Sequence, residues 1–322
     1  MKNISSIICA AIAGVSLCAC GGKTTAETTP DTLPENNNTE IKFDADSAYQ
    51  FIADQVEFGP RVVGSAAHAR CADYIAAKLK AYGAEVIVQD TTYTDQNDKS
   101  QRVRNIMGRF NPHAERAVML LAHYDTRPWA DEDPDETKHS TPIDGANDGG
   151  SGVAVMLEIA RNASQLPAAK GLDLLFVDNE DAGTHQDDLS WCIGSQAWAA
   201  YRQSTDRPID YAILLDMVGG KDACFPREYF SEVNAKGVND LIWATARQLG
   251  YANRFPDRIS GAINDDHVPL LKIGIPTVDI IETDPDAGGF NPTWHTTADN
   301  LQNIDPATLN VVGRTVTAVL MK

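Results

Sequence analysis

The chain has 322 residues, 43% of them hydrophobic and 22% charged, with a formal charge of −18. That composition is ordinary for a globular protein and long enough for one large core, which excludes a fibrous or wholly disordered chain. So acidic a balance excludes a nucleic-acid surface built on basic patches and speaks mainly to solubility.

Residues 1–19 carry Lys2 and a mostly apolar run from Ile7 to Ala19, too short for a comfortable membrane span, and read as a secretory signal. Leu17-Cys18-Ala19-Cys20 resembles a bacterial lipobox, with Cys20 as the residue lipidated after cleavage. Ordinary signal-peptidase cleavage after a small residue is the alternative. Residues 20–43 then form a Thr-, Asn- and Pro-rich flexible tether. The expected location is the periplasmic face of a bacterial membrane, with the lipid as the only attachment. Of the six cysteines only Cys71, Cys192 and Cys224 lie in the body. They make no disulfide framework and no CxxC zinc spacing, and at most one pair can bridge.

In chain order, Asp46 or Ser47 can cap a helix through Val56, broken by Pro60, and Ser65 to Ala81 reads as a second helix closed by Gly83. Ala84–Gln89 and Val103–Phe110 are strand candidates with polar Thr91–Gln101 between them as a turn. Ala117–Ala122 follows as a strand buried on both faces. The polar stretch from Thr126 to Asp148 is long for a loop in a compact domain, which marks it as functional. Its acidic run, Asp131 to Glu136, reads as a solvated face. Gly149-Gly150-Ser151-Gly152 opens a helix through Ala160; no strand precedes it, GxGxxG is absent, and Val153 rules out a GxSxG elbow. Leu172–Val177 is the central strand, Gly194–Tyr201 a helix, Ile209–Asp216 a strand and Glu232–Leu249 a helix. Thr277–Ile281 is a strand and Asn303–Leu320 the closing helix. This alternation predicts a single α/β domain over 44–322, with a mostly parallel central sheet flanked by helices on both faces.

Three apolar runs end in metal-ligand residue types. Leu174–Val177 runs into Asp178-Asn179-Glu180-Asp181, Ala117–Ala122 into His123-Tyr124-Asp125, and Tyr211–Leu215 into Asp216. Ligands bind at the carboxyl ends of strands in open α/β sheets, so the three suggest one metal site on one sheet edge. For any one run alone, solvated loop acids are the plainer explanation. A catalytic zinc takes about four ligands with one position open. His295, in the polar loop Pro292 to Thr297, completes a two-carboxylate–imidazole set with Asp148 and Asp181. His123 and Asp216 can serve a second metal or support the first, and Asp125, facing the same way as His123, can orient its imidazole. Adjacent side chains diverge at a strand end, so one of Glu180 and Asp181 can bind metal while the other stays free as a general base. Either alone can also cap the following helix, and Asp265-Asp266-His267 equally reads as a helix N-terminus.

Taken in order, His123-Tyr124-Asp125, Asp148 before a glycine-opened helix, Asp178 to Asp181, Leu215-Asp216, Asp265-Asp266-His267-Val268-Pro269 and Trp294-His295-Thr296 resemble the zinc exopeptidase clan. Within it they look most like the animal-type (type II) glutaminyl-peptide cyclotransferases and their bacterial, Bacteroidetes-like branch, over roughly residues 45–322. Trp294 before His295 and the Asp265–Pro269 stretch favour a cyclase. The resemblance implies a three-layer sandwich and one zinc ion held by Asp148, Asp181 and His295, with Glu180 as proton shuttle. It places Asp216 and Asp265 in an acidic hydrogen-bond network and makes Trp294 and Trp191 pocket walls. Asp181 departs from the Glu usual in animal cyclases, and Asp279 from their His, so the network on the substrate side must differ. The implied reaction converts the N-terminal glutamine of peptides or proteins to pyroglutamate with loss of ammonia, in a monomer without nucleic-acid partners. A secreted zinc aminopeptidase is the alternative, because His123, Asp148, Asp181, Asp216 and His295 make up a two-metal donor set.

Overall fold

A computed structural model describes residues 43–167, 170–202, 206–283 and 289–322. The signal segment and Cys20 lie outside the described residues. The sheet is built from β1 (Glu85–Thr94), β2 (Ser100–Phe110), β3 (Ala117–His123), β4 (Gly171–Val177), β5 (Ile209–Asp216) and β6 (Thr277–Ile281), in spatial order β1-β2-β4-β3-β5-β6. β4, β3, β5 and β6 are parallel, while β2 runs antiparallel to both β1 and β4. Burial follows this division: β3, β4 and β6 are buried at every position, whereas β1 alternates with solvent along its length.

Because side chains alternate across a strand, each central strand feeds two cores. Leu120, Leu174, Phe176, Ile213 and Leu215 face one side; Met119, Leu121, Leu175, Val177 and Leu214 face the other. The helices are α1 (Ala45–Glu57), α2 (Ala66–Ala81), α3 (Gly150–Arg161), α4 (Ile193–Tyr201), α5 (Tyr229–Asn234), α6 (Lys236–Gln248), α7 (His267–Lys272) and α8 (Pro306–Leu320). The first core packs under α1, α2, α3, α6 and α8, and the second under α4 and α7. α3 lies flush on the sheet through Gly152, where a Cβ would come within 2.0 Å of the Leu215 carbonyl oxygen. Among the described residues no helix is long and apolar enough to cross a membrane.

Several boundaries differ from the sequence reading. α1 is capped by Asp44, whose side chain accepts from the amides of Asp46 and Ser47, so those two residues are already inside the first turn. The β1–β2 strands extend through the polar stretch and leave only residues 95–99 as the turn. The single helix expected over Glu232–Leu249 is two: the chain breaks at Ala235 (φ −133°), and Glu228 caps the first piece with its carboxylate. Asp305 and Pro306 start α8 three residues late, the proline taking a first-turn position where no amide is needed. Cys71 and Cys192 are free thiols, so the three body cysteines form no bridge among themselves.

Candidate active site and metal centre

The parallel strands deliver their last residues to one edge. His123 closes β3 beside Val177, where β4 passes into Asp178-Asn179-Glu180-Asp181, and Asp216 closes β5 beside Ile281 of β6. Asp148 arrives from the long loop just before α3. That loop turns at Gly149 (φ 81°), where a Cβ would lie 2.7 Å from the Asp125 carbonyl oxygen, so the turn requires glycine. His295 arrives from the loop after β6 with a left-handed backbone (φ 53°). Met217, in the pocket lining, and Asn179 and Cys192, each next in sequence to a lining residue, share that sparsely populated conformation. Strain of this kind persists where surrounding contacts over-determine it, and it clusters at functional sites.

Asp148, Asp181 and His295 converge with their donor atoms within 4.8 Å of one another, all buried. His295 Nε2 lies 3.0 Å from Asp181 Oδ1 and 3.7 Å from Asp148 Oδ2. Asp148 Oδ2 and Asp181 Oδ2 are buried without a hydrogen-bond partner. Two orphaned carboxylate oxygens and an imidazole nitrogen, facing a pocket of about 270 Å³, fit a three-ligand zinc with an open position. Behind the metal set, Asp131 Oδ1 lies 3.5 Å from His295 Nδ1, and Arg127 holds Asp131 through Nε at 2.9 Å and Nη2 at 2.5 Å. At this distance the carboxylate acts on the imidazole as an ion pair, which favours the ring orientation that turns Nε2 toward the metal set.

Three other aspartates hold the ligand-bearing backbone. Asp125 accepts from the amides of Glu180 (3.0 Å) and Asp181 (3.1 Å). Asp299 accepts from Asn147 N (2.7 Å) and Asp148 N (3.0 Å). Asp178 joins His68 Nε2 (2.6 Å) to the Arg104 amide (2.7 Å).

Beside the metal set lies an acid cluster of a different character. Burial raises Glu180 well above the usual glutamate range, and the charges of Asp265 and Asp181 push further the same way. Burial, then the Asp216 charge, pushes Asp265 up to about 7. Burial and the Asp148 charge raise Asp181 to about 6. Burial alone would lower the His123 imidazole, but the surrounding carboxylates of Asp125, Asp148 and Asp216 outweigh it and raise that group well above its ordinary value. A cation among these carboxylates would relieve the repulsion that raises them.

Glu180, Asp265 and Asp216 line the pocket, with Trp191 and Trp294 as two of its walls. Trp191 stacks parallel to the His295 ring at 6.1 Å, and the Arg127 guanidinium lies over the Trp191 ring, 4.8 Å from its centroid. Other residues fall elsewhere than expected. Asp279 pairs with Leu214, two residues back from the strand end, so it is fully buried and outside the pocket lining, 3.8 Å from His267 Nδ1. Asp125, by contrast, lies 3.6 Å from His123 Nδ1, beside the imidazole as expected, and its oxygens also accept the two backbone amides. His123 Nε2 lies 3.1 Å from Asp148 Oδ1 and 3.2 Å from Asp216 Oδ1. Asp266 precedes α7 without capping it and accepts from Ser195 Oγ at 2.5 Å. The acidic run is not simply a solvated face: Asp131 supports His295, and buried Asp133 accepts from Thr297. Asp131, Arg127, Asp299, Cys192 and His185, which lines the pocket, are not singled out by the sequence. Only the length of the loop from Thr126 to Asp148 signalled any of them.

A mostly parallel sheet with a carboxylate–imidazole metal set on its carboxyl edge defines a zinc-dependent α/β exopeptidase-type enzyme. The chain belongs to peptidase family M28, whose model matches residues 105–320. It is similar to a Bacteroides thetaiotaomicron glutaminyl cyclase bound to N-acetylhistamine, at 43% identity and TM-score 0.83, covering 87% of this chain and 98% of that one. It is also similar to a leucine aminopeptidase precursor from Bacteroides thetaiotaomicron VPI-5482, at 42% identity and TM-score 0.83, covering 88% and 98%. A glutaminyl-peptide cyclotransferase of Bos taurus is 28% identical over 283 residues, 78% of this chain and 74% of its own.

Proposed function

We propose that the protein is a zinc-dependent glutaminyl-peptide cyclotransferase, converting the N-terminal glutamine of peptides and proteins to pyroglutamate with release of ammonia. The observation that carries this reading is Glu180: buried, open to the pocket, and adjacent in sequence to a ligand without belonging to the metal set. The similarity to glutaminyl cyclases over nearly their full length supports it.

Zinc held by Asp148, Asp181 and His295 would polarise the γ-carboxamide carbonyl. Glu180 accepts a proton from the α-amine as its nitrogen bonds to the side-chain carbonyl carbon. It returns that proton to the amide nitrogen as the carbon–nitrogen bond breaks and ammonia leaves. Asp265, whose Oδ2 is buried without a partner, accepts a hydrogen bond from the departing nitrogen. Both reacting groups belong to one residue, so orientation between Trp191 and Trp294 is the main task of the pocket. Ala262, Ile263 and Phe290 are shared with a second cavity whose lining includes Pro226 and Ile259 but no acid, a path for the rest of the peptide. We assign one zinc, with His123 Nε2, 3.1 Å from Asp148 Oδ1 and 3.2 Å from Asp216 Oδ1, serving as a hydrogen-bond partner to those carboxylates rather than as a ligand of a second cation. We read the protein as a monomer, since no role in this reaction calls for a residue of a second copy.

The aminopeptidase reading has one specific observation in its favour: His123, Asp148 and Asp216 also converge as a three-donor set. Ammonia release from a Gln-initiated peptide, measured beside cleavage of an aminoacyl anilide, tests the two. Anilide cleavage without ammonia release would overturn the cyclase. Export and lipidation at Cys20 rest on the leader and lipobox alone. A Cys20→Ser chain is expected to leave the membrane fraction or stay unprocessed, and a freely soluble wild-type protein counts against the anchor.

A further inference from the structure

Cys192 begins α4 in the left-handed conformation, directly behind the proton-handling acids. Its Sγ lies 3.3 Å from Glu180 Oε1, and its amide donates to the Glu180 carbonyl at 3.1 Å. One donor atom each from Glu180, Cys192 and Asp265 lies within 4.8 Å of the others, and all three residues are buried. Asp265, 3% exposed, spends Oδ1 on the Asp266 amide and leaves Oδ2 buried with no partner. A zinc at Asp148, Asp181 and His295 does not use any of these three side chains. Glu180 and Asp265 line the pocket, so an ion entering from solvent meets them first, with the thiol behind.

We propose that Glu180, Cys192 and Asp265 form a second, inhibitory site for a thiophilic divalent cation, cadmium or zinc in excess, beside the catalytic metal position. Thiolate is the soft ligand that selects such ions, and neither the Asp148–Asp181–His295 set nor the His123–Asp148–Asp216 set contains sulfur. On binding, the Cys192 S–H bond breaks, a metal–sulfur bond forms, and the proton leaves to water. The inhibition rests on the roles given above to Glu180 and Asp265, since an occupied site takes Glu180 from proton transfer and Asp265 from the departing nitrogen. The binding itself does not depend on those roles.

Zinc-loaded enzyme is titrated with cadmium while two signals are followed: the ultraviolet thiolate-to-cadmium charge-transfer band and ammonia release. One equivalent should raise the band, and activity should fall along the same curve. Losing an outer-shell partner alone costs about 10–100-fold in metal affinity, so Cys192→Ser should abolish the band and raise the half-inhibitory cadmium concentration at least about tenfold. Inhibition without the band, a band that survives in Cys192→Ser, or equal inhibition of the variant would each overturn the site. Should Cys192→Ser fail to fold, Glu180→Gln and Asp265→Asn keep the thiol and report by absorption, independent of turnover. Both should weaken cadmium binding at least about tenfold, and unchanged titrations overturn the proposal. A wild-type band in an enzyme that releases no ammonia from any Gln peptide would leave the site standing and sink the cyclase reading instead.

Discussion

Asp125 and Asp299 stand one layer behind Asp148 and Asp181 on the same sheet edge, equally buried and of the same residue type. Each of the first pair accepts two backbone amides, and each of the second has an oxygen with no partner. Asp265, Asp266 and Asp279 join the unsatisfied group. Buried polar atoms are almost always paired, so the satisfied aspartates read as clasps that fix the ligand-bearing backbone. The unsatisfied ones await a cation, a substrate or a proton. The side chain's hydrogen-bond ledger, more than its burial, separates holding from working.

The sharpest break of this division is at the metal set itself. His295→Ala should lose zinc and activity together, because two carboxylates alone make a poor zinc site. Zinc retained at wild-type stoichiometry would take His295 off the ligand set. Next in size is Glu180→Gln, which keeps size and hydrogen bonding but cannot take the amine proton. General acid–base catalysis contributes roughly 10²–10⁴-fold, so kcat should drop by about that range with zinc content unchanged. Wild-type kcat/KM should rise with pH as the attacking α-amine, with a pKa near ~8, loses its proton. A variant that turns over normally would end the shuttle role, and one that loses zinc would exchange the roles of Glu180 and Asp181.

The working aspartates were legible in the sequence and the clasps mostly were not, for a physical reason. Asp181, Asp216 and His123 follow apolar strand runs whose parallel pairing brings their ends together, so local pattern predicts their meeting. Asp299 and Asp131 follow no strand. They reach the site through loop paths set by long-range contacts, such as the Glu132 amide donating to the His295 carbonyl oxygen at 3.1 Å. Asp279 shows the limit in the other direction: it is on β6, but two residues too early to reach the edge. The helix break at Ala235 was equally hidden, because Glu228 caps α5 from outside the apolar pattern.

A clasp is therefore the next place to press. Asp299→Asn puts an amide donor against one of two backbone donors, Asn147 N or Asp148 N. The ligands remain, so zinc should still bind, but about 10–100-fold more weakly, as when an outer partner of a ligand is lost. Activity at limiting zinc should fall and excess zinc should restore it. Chelator competition that finds wild-type affinity would show that Asp148 holds its place without the clasp.

The smallest effect on turnover is expected at Glu282, which lies between the two classes. Its Oε1 accepts from Asn291 Nδ2 at 2.8 Å and its Oε2 only weakly from Asn147 Nδ2 at 3.4 Å. Burial pushes its carboxyl up from 4.5 to about 7, against the pull of those two amides. Between these values the folded chain holds a proton that the unfolded chain has released, so stability falls as pH rises through the window and levels off above it. The loss is at most about 3 kcal/mol for a shift of this size. Glu282→Gln keeps an acceptor for Asn291 and removes the titration. It should melt with the wild type near pH 5 and several degrees above it near pH 8. A melting-temperature difference that is the same at both pH values would mean that Glu282 is already charged in the fold, and would place it with the satisfied carboxylates.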